Sequence, residues 1–245
     1  MINEDFAEGS SWIHNLDPRI KIIVAIMLAV VTAVEKDLSV LLQIFTAVCF
    51  ILITARLNGK EILKRLLMIN IFIFLIWLFL PFTYPGEVLF HFGPLTASYE
   101  GVIYTLQITL RSNAIMLIVI SLLSTSTITS LIHAMDYLYI PQKLIYLFFF
   151  IYRYLYVIRD EFYTLRNAML LRGFKRETSI RCYKSYAYLM GMLLIRSYER
   201  ATRVYEAMIC RGFNGQFYLM DDFSLSTLDH IVFAGSICLV SWVLV

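Results

Sequence analysis

The chain has 245 residues, of which 60% are hydrophobic and 16% charged, with a mean hydropathy of +0.72; ordinary soluble domains are about 45–50% apolar and about 25% charged. A soluble globule of this size cannot hide that much apolar surface, so the composition points to an integral membrane protein and excludes disorder and a disulfide-stapled secreted scaffold. The net charge of +3 says less than the way the charges are distributed.

Residues 1–8 hold Glu4, Asp5 and Glu8 where a secretory signal would be positive, so the first apolar run, Ile20–Val34, is expected to be a retained membrane helix. Asp17 before Pro18 is a helix start: aspartate accepts from the orphan amides and proline suits the first helical position. After Glu35-Lys36-Asp37 a second run covers Leu38–Ala55. The third, Leu66–Leu80, is expected to stop at Pro81. Residues 81–97, with Pro81, Pro85, Gly86, Gly93 and Pro94, read as a loop. A fourth helix is expected over Tyr99–Leu123, breaking at Ser124–Thr127, and a last run covers Ile231–Val245. Each is near the roughly 20 residues that a bilayer requires.

The region before the last run differs. Pro141 opens a helical pattern to about Arg172, and another runs from Ser179 to Arg211. Residues 141–211 carry 13 Lys and Arg against 5 Asp and Glu, interleaved with aromatics, which suits helices at the membrane surface. The alternative is a further span over Leu144–Ile158, interrupted by Arg153 at the high cost of an intramembrane charge. With the N-terminus in the cytoplasm, five spans leave 19 of the 21 basic residues inside, Lys36 outside and Arg111 within the fourth span; the positive-inside rule selects that orientation. The expected fold class is an all-α integral membrane protein with about five transmembrane helices and a cytoplasmic or interfacial helical coupling region. Residues 1–130 form the first four spans, 131–220 the coupling helices and 221–245 the last span.

Ala168-Met169-Leu170-Leu171-Arg172-Gly173-Phe174 recurs 39 residues later as Ala207-Met208-Ile209-Cys210-Arg211-Gly212-Phe213, with five of seven positions identical. Ala and Arg four apart share a helix face, and glycine after arginine signals a helix C-terminus. Arginine at a helix end is favourable by about 0.3–1 kcal/mol, which explains Arg-Gly once but not the same pattern on two helices. Two helix ends that each present an arginine suit two equivalent acidic grooves on a paired soluble partner, because the guanidinium fork binds carboxylates bidentately.

This doubled Ala-x-x-x-Arg-Gly pattern resembles the signature of the transmembrane T component of energy-coupling factor (ECF) transporters. His14-Asn15-Leu16-Asp17-Pro18-Arg19-Ile20-Lys21 is similar to the family's N-terminal Leu-Asp-Pro-Arg-x-Lys segment. Ile140-Pro141, Tyr152-Arg153-Tyr154 and Asp160-Glu161 resemble its Pro…Arg-Tyr…Glu stretch. Within the family the chain is most similar to the cobalt-transport Q subunit (CbiQ), through Leu80–Gly86, Tyr186–Leu194 and Ala207-Met208 before Cys210-Arg211-Gly212-Phe213. The resemblance implies a multi-pass scaffold of the cell membrane. It would join a pair of cytosolic ABC-type ATPases, which use the ATP, to a membrane subunit that captures substrate. Ala168, Arg172, Gly173, Ala207, Arg211 and Gly212 would be the coupling residues, and Asp17, Pro18, Arg19 and Lys21 the N-terminal motif. Nickel and vitamin transporters use related T components, so those substrates are the alternatives.

The chain has no G-x-x-x-x-G-K-[ST] phosphate loop and is not expected to be the ATPase. No cofactor, metal or nucleic acid is expected on it. His14, His91, His133 and His230 lack metal-ligand spacing, as do the scattered Cys49, Cys182, Cys210 and Cys238. Arg111 is either functional within the membrane or reaches the outer headgroups along its own stem. A membrane-integral enzyme would need polar residues converging at one depth, and the apolar runs hold few.

Overall fold

The computed structural model describes residues 11–55, 57–85, 87–92, 95–138, 140–215 and 226–244. In chain order these form α1 (Pro18–Val34), α2 (Leu38–Thr54), α3 (Gly59–Thr83), β1 (Val88–Phe92), β2 (Leu95–Ser98), α4 (Tyr99–Ile118), a π-helical turn (Val119–Leu123), α5 (Ile128–Tyr137), α6 (Gln142–Leu171), α7 (Ile180–Cys210) and α8 (Thr227–Leu244). They divide into two compact units: Ile140–Asp222, which carries α6 and α7, and Ile2–Tyr139 with Phe223–Val245, which carries the rest.

In the larger unit α1 lies at the centre. Ile20, Val24, Ala25 and Leu28 pack with Ile44 and Val48 of α2, Ile62 of α3, and Leu117, Ile118, Ile120 and Leu122 at the end of α4, with Phe233, Leu239 and Val240 of α8 around them. Helix α1 starts where expected: Asp17 Oδ1 accepts from the Arg19 N–H at 2.8 Å and Pro18 occupies the first turn. The outer face of α3 is uncovered. Met68 is 79% exposed, Phe72 69% and Phe79 65%, an arrangement stable in hydrocarbon but not in water. Two helical stretches, Gly59–Thr83 and Tyr99–Leu123, are long and apolar enough to cross a bilayer, each spanning about 37 Å against roughly 30 Å of hydrocarbon. Leu38–Thr54 and Thr227–Trp242 are apolar but shorter.

Two expectations are corrected. Helix α3 begins seven residues before Leu66 and does not stop at Pro81, which is buried inside its last turn. Proline removes the one N–H that would bond the Trp77 carbonyl; so near the helix end the remaining bonds suffice, with Thr83 Oγ1 donating to the Phe79 carbonyl and the Tyr84 N–H to that of Leu80. Residues 81–97 are not simply a loop. They hold the end of α3 and an antiparallel β1–β2 pair, in which Phe90 faces Ala97 and Phe92 faces Leu95, with a shift of register between Phe90 and the Val88–Ser98 pair; Gly86, Gly93 and Pro94 lie outside the described residues. The β-favouring run Val88-Leu89-Phe90 carried that signal. Among the described residues the regular structure is therefore helical apart from one short hairpin. An element that no apolar run signalled is α5, a ten-residue helix N-capped by Thr127, whose Oγ1 accepts from the Ser130 N–H at 3.2 Å.

The expected break after Leu123 is present. The Ser124 N–H reaches back five residues to Val119, so the helix widens into a π turn before the Ser-Thr cluster. At the other end of α4, Gly101 permits close packing: a Cβ there would stand 3.0 Å from Pro81 Cα and 3.2 Å from Tyr84 Cβ.

In the smaller unit, α6 runs unbroken for 30 residues, with Arg153 inside it, and returns through an elbow into α7 of 31 residues. Glu161 binds both Arg196 and Arg200 across the pair. Only Ile145, Cys182 and Leu189 are buried in these two helices. Helices this long with so little buried face gain their stability from surfaces beyond themselves.

Candidate functional site

The two copies of the repeat have the same local structure. Arg172 caps α6 at φ −81°, ψ 13°, and Arg211 caps α7 at φ −91°, ψ 10°. Gly173 and Gly212 follow in the left-handed region at φ +80° and +81°. The Phe174 N–H reaches the Met169 carbonyl at 3.4 Å and the Gly173 N–H that of Leu170 at 3.0 Å; the Phe213 N–H reaches Met208 at 3.0 Å and the Gly212 N–H reaches Ile209 at 2.9 Å. This is the Schellman pattern, in which the residue after the glycine and the one five before it bring their side chains together. Met169 with Phe174, and Met208 with Phe213, occupy those positions and are half-buried in both copies.

The cap thus explains three of the five identical positions: methionine, glycine and phenylalanine. It leaves alanine and arginine, and all four of these (Ala168, Arg172, Ala207 and Arg211) are exposed. Among the described residues no carboxylate stands within ion-pair distance of Arg172 or Arg211, whereas Arg159, Arg196, Arg200 and Arg203 each have one. An adjacent cavity of about 780 Å³ lies at the elbow and is lined by Arg172, Lys175 and Arg181. A second, of about 560 Å³, lies on the other side of Glu161 among Tyr146, Phe150, Tyr154, Tyr205 and Phe213.

The N-terminal motif forms a polar node in the larger unit. Asp17 uses its carboxylate as a cap and its N–H to donate to Asp229 Oδ1 at 2.9 Å. Asp229, 1% exposed, also accepts from the Ser226 N–H at 2.8 Å and so supplies the carboxylate half of a capping box at the start of α8. Lys21, equally buried, donates to Ser126 Oγ at 2.8 Å and to the His14 carbonyl at 3.4 Å. The Arg19 guanidinium lies 3.3 Å from the centre of the Tyr137 ring, a cation–π contact that ties α1 to α5. Sequence reading missed Asp229 and Ser126. The Ser226-x-x-Asp229 spacing was the available signal for the first; nothing local marks the second.

Arg111 donates from Nη2 to the Glu35 carbonyl. Glu35 caps α1, so this side chain satisfies a helix-end carbonyl and opposes the negative end of the dipole. Asn70 of α3 and Asn113 of α4, also missed, each donate to the other's side-chain oxygen at 3.0 and 3.2 Å. His14 Nδ1 lies 2.6 Å from Ser11 Oγ. Among the described residues no three His, Cys, Asp or Glu side chains converge as metal ligands.

Comparison with known proteins bears on the whole arrangement. The profile of the CbiQ family, described as cobalt transport protein, matches residues 9–219, which include the N-terminal motif and both repeat copies. An energy-coupling factor transporter transmembrane protein, EcfT, from Leuconostoc gelidum subsp. gasicomitatum is 27% identical over 95% of this chain and 91% of its own length. The EcfT of Ruminiclostridium cellulolyticum is 24% identical over 98% and 94%. A protein of Methanocorpusculum labreanum named as a fused cobalt transport protein, CbiMQ, is 32% identical over 51% of this chain and 20% of its own length.

Proposed function

This chain belongs to the CbiQ family of cobalt transport proteins, and on that premise we propose that it is the transmembrane T component of an ATP-driven ECF-type cobalt importer. It joins two cytosolic ABC-type ATPases to a membrane subunit that captures the metal. ATP is bound and hydrolysed by the ATPases and cobalt is held by the capture subunit, so this chain carries neither. The observation that carries the reading is the doubled helix end: two identical caps, each presenting an exposed Ala-Arg pair with no acidic partner among the described residues. Two equivalent projections suit two equivalent ATPases, with Arg172 and Arg211 entering acidic grooves and Ala168 and Ala207 allowing close approach.

Five spans, α1 to α4 and α8, with the N-terminus in the cytoplasm, fit the larger unit. The starts of α1 and α8 meet through Asp17 and Asp229, and the start of α3 meets the end of α4 through Arg65 and Ser124. Arg19, Lys21, Lys60, Lys64 and Arg65 gather at that end. Glu35, Asp37, Glu87 and Glu100 stand at the other, with Lys36. This asymmetry follows the positive-inside rule. A T component serving another substrate is the second reading, favoured by the relatives named EcfT without reference to a metal.

The test is co-purification of the ATPases with the Arg172→Glu/Arg211→Glu double variant, beside cobalt uptake by cells that express the complete set. Loss of both is expected. Full recovery of the complex with uptake intact would reduce the arginines to helix caps. Intact complex with nickel rather than cobalt accumulating would keep the coupling role and move the substrate.

A further inference from the structure

The elbow cavity has a chemistry that two docking arginines do not account for. Arg172, Lys175 and Arg181 converge on one space of about 780 Å³ and have no carboxylate within ion-pair distance among the described residues; the fourth cation there, Arg196, is neutralised by Glu161, leaving Glu177 as the opposing charge. Three like charges around one cavity repel unless an anion joins them. The lining also has an apolar part, which includes Met169, Leu189 and Met192. Beside it, apolar and aromatic side chains stand in the open: Leu171 is 89% exposed, Ile180 77% and Tyr183 63%. A cationic rim, an apolar wall and exposed apolar tips together match an amphiphile with a phosphate head.

We infer that this cavity is a binding site for an anionic phospholipid, the phosphodiester held by Lys175 and Arg181 and the first part of an acyl chain laid along Met169, Leu189 and Met192. A free phosphate would meet the cations but leave the apolar wall bare. An acidic protein segment would do the same, which is why the lipid is the favoured occupant. The inference requires only that the chain reside in a membrane and is independent of ATPase docking.

The experiment uses the purified, delipidated full chain in neutral detergent, titrated with dioctanoyl phosphatidylglycerol and read by native mass spectrometry. Dioctanoyl phosphatidylcholine, inorganic phosphate and poly-glutamate are the comparison probes. We expect phosphatidylglycerol to bind at least ten-fold more tightly than phosphatidylcholine and to resist displacement by equimolar phosphate or poly-glutamate. Lys175→Gln/Arg181→Gln should weaken it by about ten-fold or more, at about 1 kcal/mol per basic residue facing anionic lipid. Lys175→Arg/Arg181→Lys, which keeps the charge, should retain it, and thus separates lost charge from lost fold. Equal binding of phosphatidylcholine, displacement by phosphate or poly-glutamate, an unaffected glutamine variant, or loss in the charge-keeping variant would each overturn the site. Lys175 and Arg181 lie outside the repeat, so ATPase co-purification of the same variants reports separately on docking.

Discussion

Asn70 and Asn113 show how one side chain acts in this chain. Each amide also donates within its own helix, to the Leu66 and Thr109 carbonyls, so the reciprocal pair is an addition to satisfied groups. Interhelical hydrogen bonds of this kind contribute about 0.6–2 kcal/mol in membranes. Asn70→Leu and Asn113→Leu should each destabilise by about that amount, and the double variant should lose less than the sum. Thermal unfolding in detergent measures the cycle; strict additivity would mean that the amides do not act as a pair. For Arg172 and Arg211 the magnitudes also decide. Losing one partner of a buried charged pair at an interface typically costs about 2–5 kcal/mol, or roughly 30- to several-thousand-fold in affinity. A helix-end dipole contact contributes about 0.3–1 kcal/mol to local stability. A single Arg172→Glu that leaves ATPase affinity within a few-fold belongs to the second case.

At the scale of the element, the two Schellman ends separate structural from functional positions. Gly173→Ala and Gly212→Ala meet no neighbouring atom within 4 Å, yet each forces a side chain to φ near +80°. That costs about 1–2 kcal/mol, so hydrogen exchange at the Phe174 and Phe213 amides should accelerate about five- to thirty-fold. Ala168→Leu and Ala207→Leu should do the reverse. Exposed helix positions tolerate leucine within about 0.5 kcal/mol, so unfolding should be unchanged while ATPase association falls, because the added side chain blocks close approach. Unchanged association would confine the repeat's meaning to capping. Glu161 plays the complementary part by tying α6 to α7 through Arg196 and Arg200.

For the whole molecule, the proposed orientation makes the hairpin end external and the coupling helices internal. Cys210 and Cys238 are exposed, so the labelling experiment starts from a chain with all four native cysteines replaced. A cysteine at Glu87 should react with an impermeant thiol reagent from outside intact cells, and one at Lys175 only after lysis. Equal labelling from outside would invert the topology and remove both arginine motifs from the cytoplasm. The scaffold role also predicts that the isolated chain binds cobalt no better than a histidine-poor control membrane protein. Stoichiometric micromolar binding, lost on substituting a histidine, would place a substrate site here.

The parts legible in the sequence were those in which a residue acts on its immediate chain neighbours. Asp17-Pro18 opens α1, Arg-Gly closes α6 and α7, and apolar runs place α1 to α4 and α8 to within a few residues; only α3, with seven further residues at its start and three beyond Leu80, departs more. Local signals misled where two competed, as at Pro81, where a proline that usually ends a helix was absorbed by its last turn. They were silent for α5, too short for its apolar face to stand out. Tertiary structure alone decided which groups meet across the chain. Asp17 finds Asp229 at a separation of 212 residues, Arg111 the Glu35 carbonyl at 76 and Asn70 its partner at 43. It also decided which arginines are matched by carboxylates and which stand exposed. No periodicity or motif encodes such pairings, because a buried polar group is satisfied by whatever the packing of apolar helices brings within about 3 Å of it.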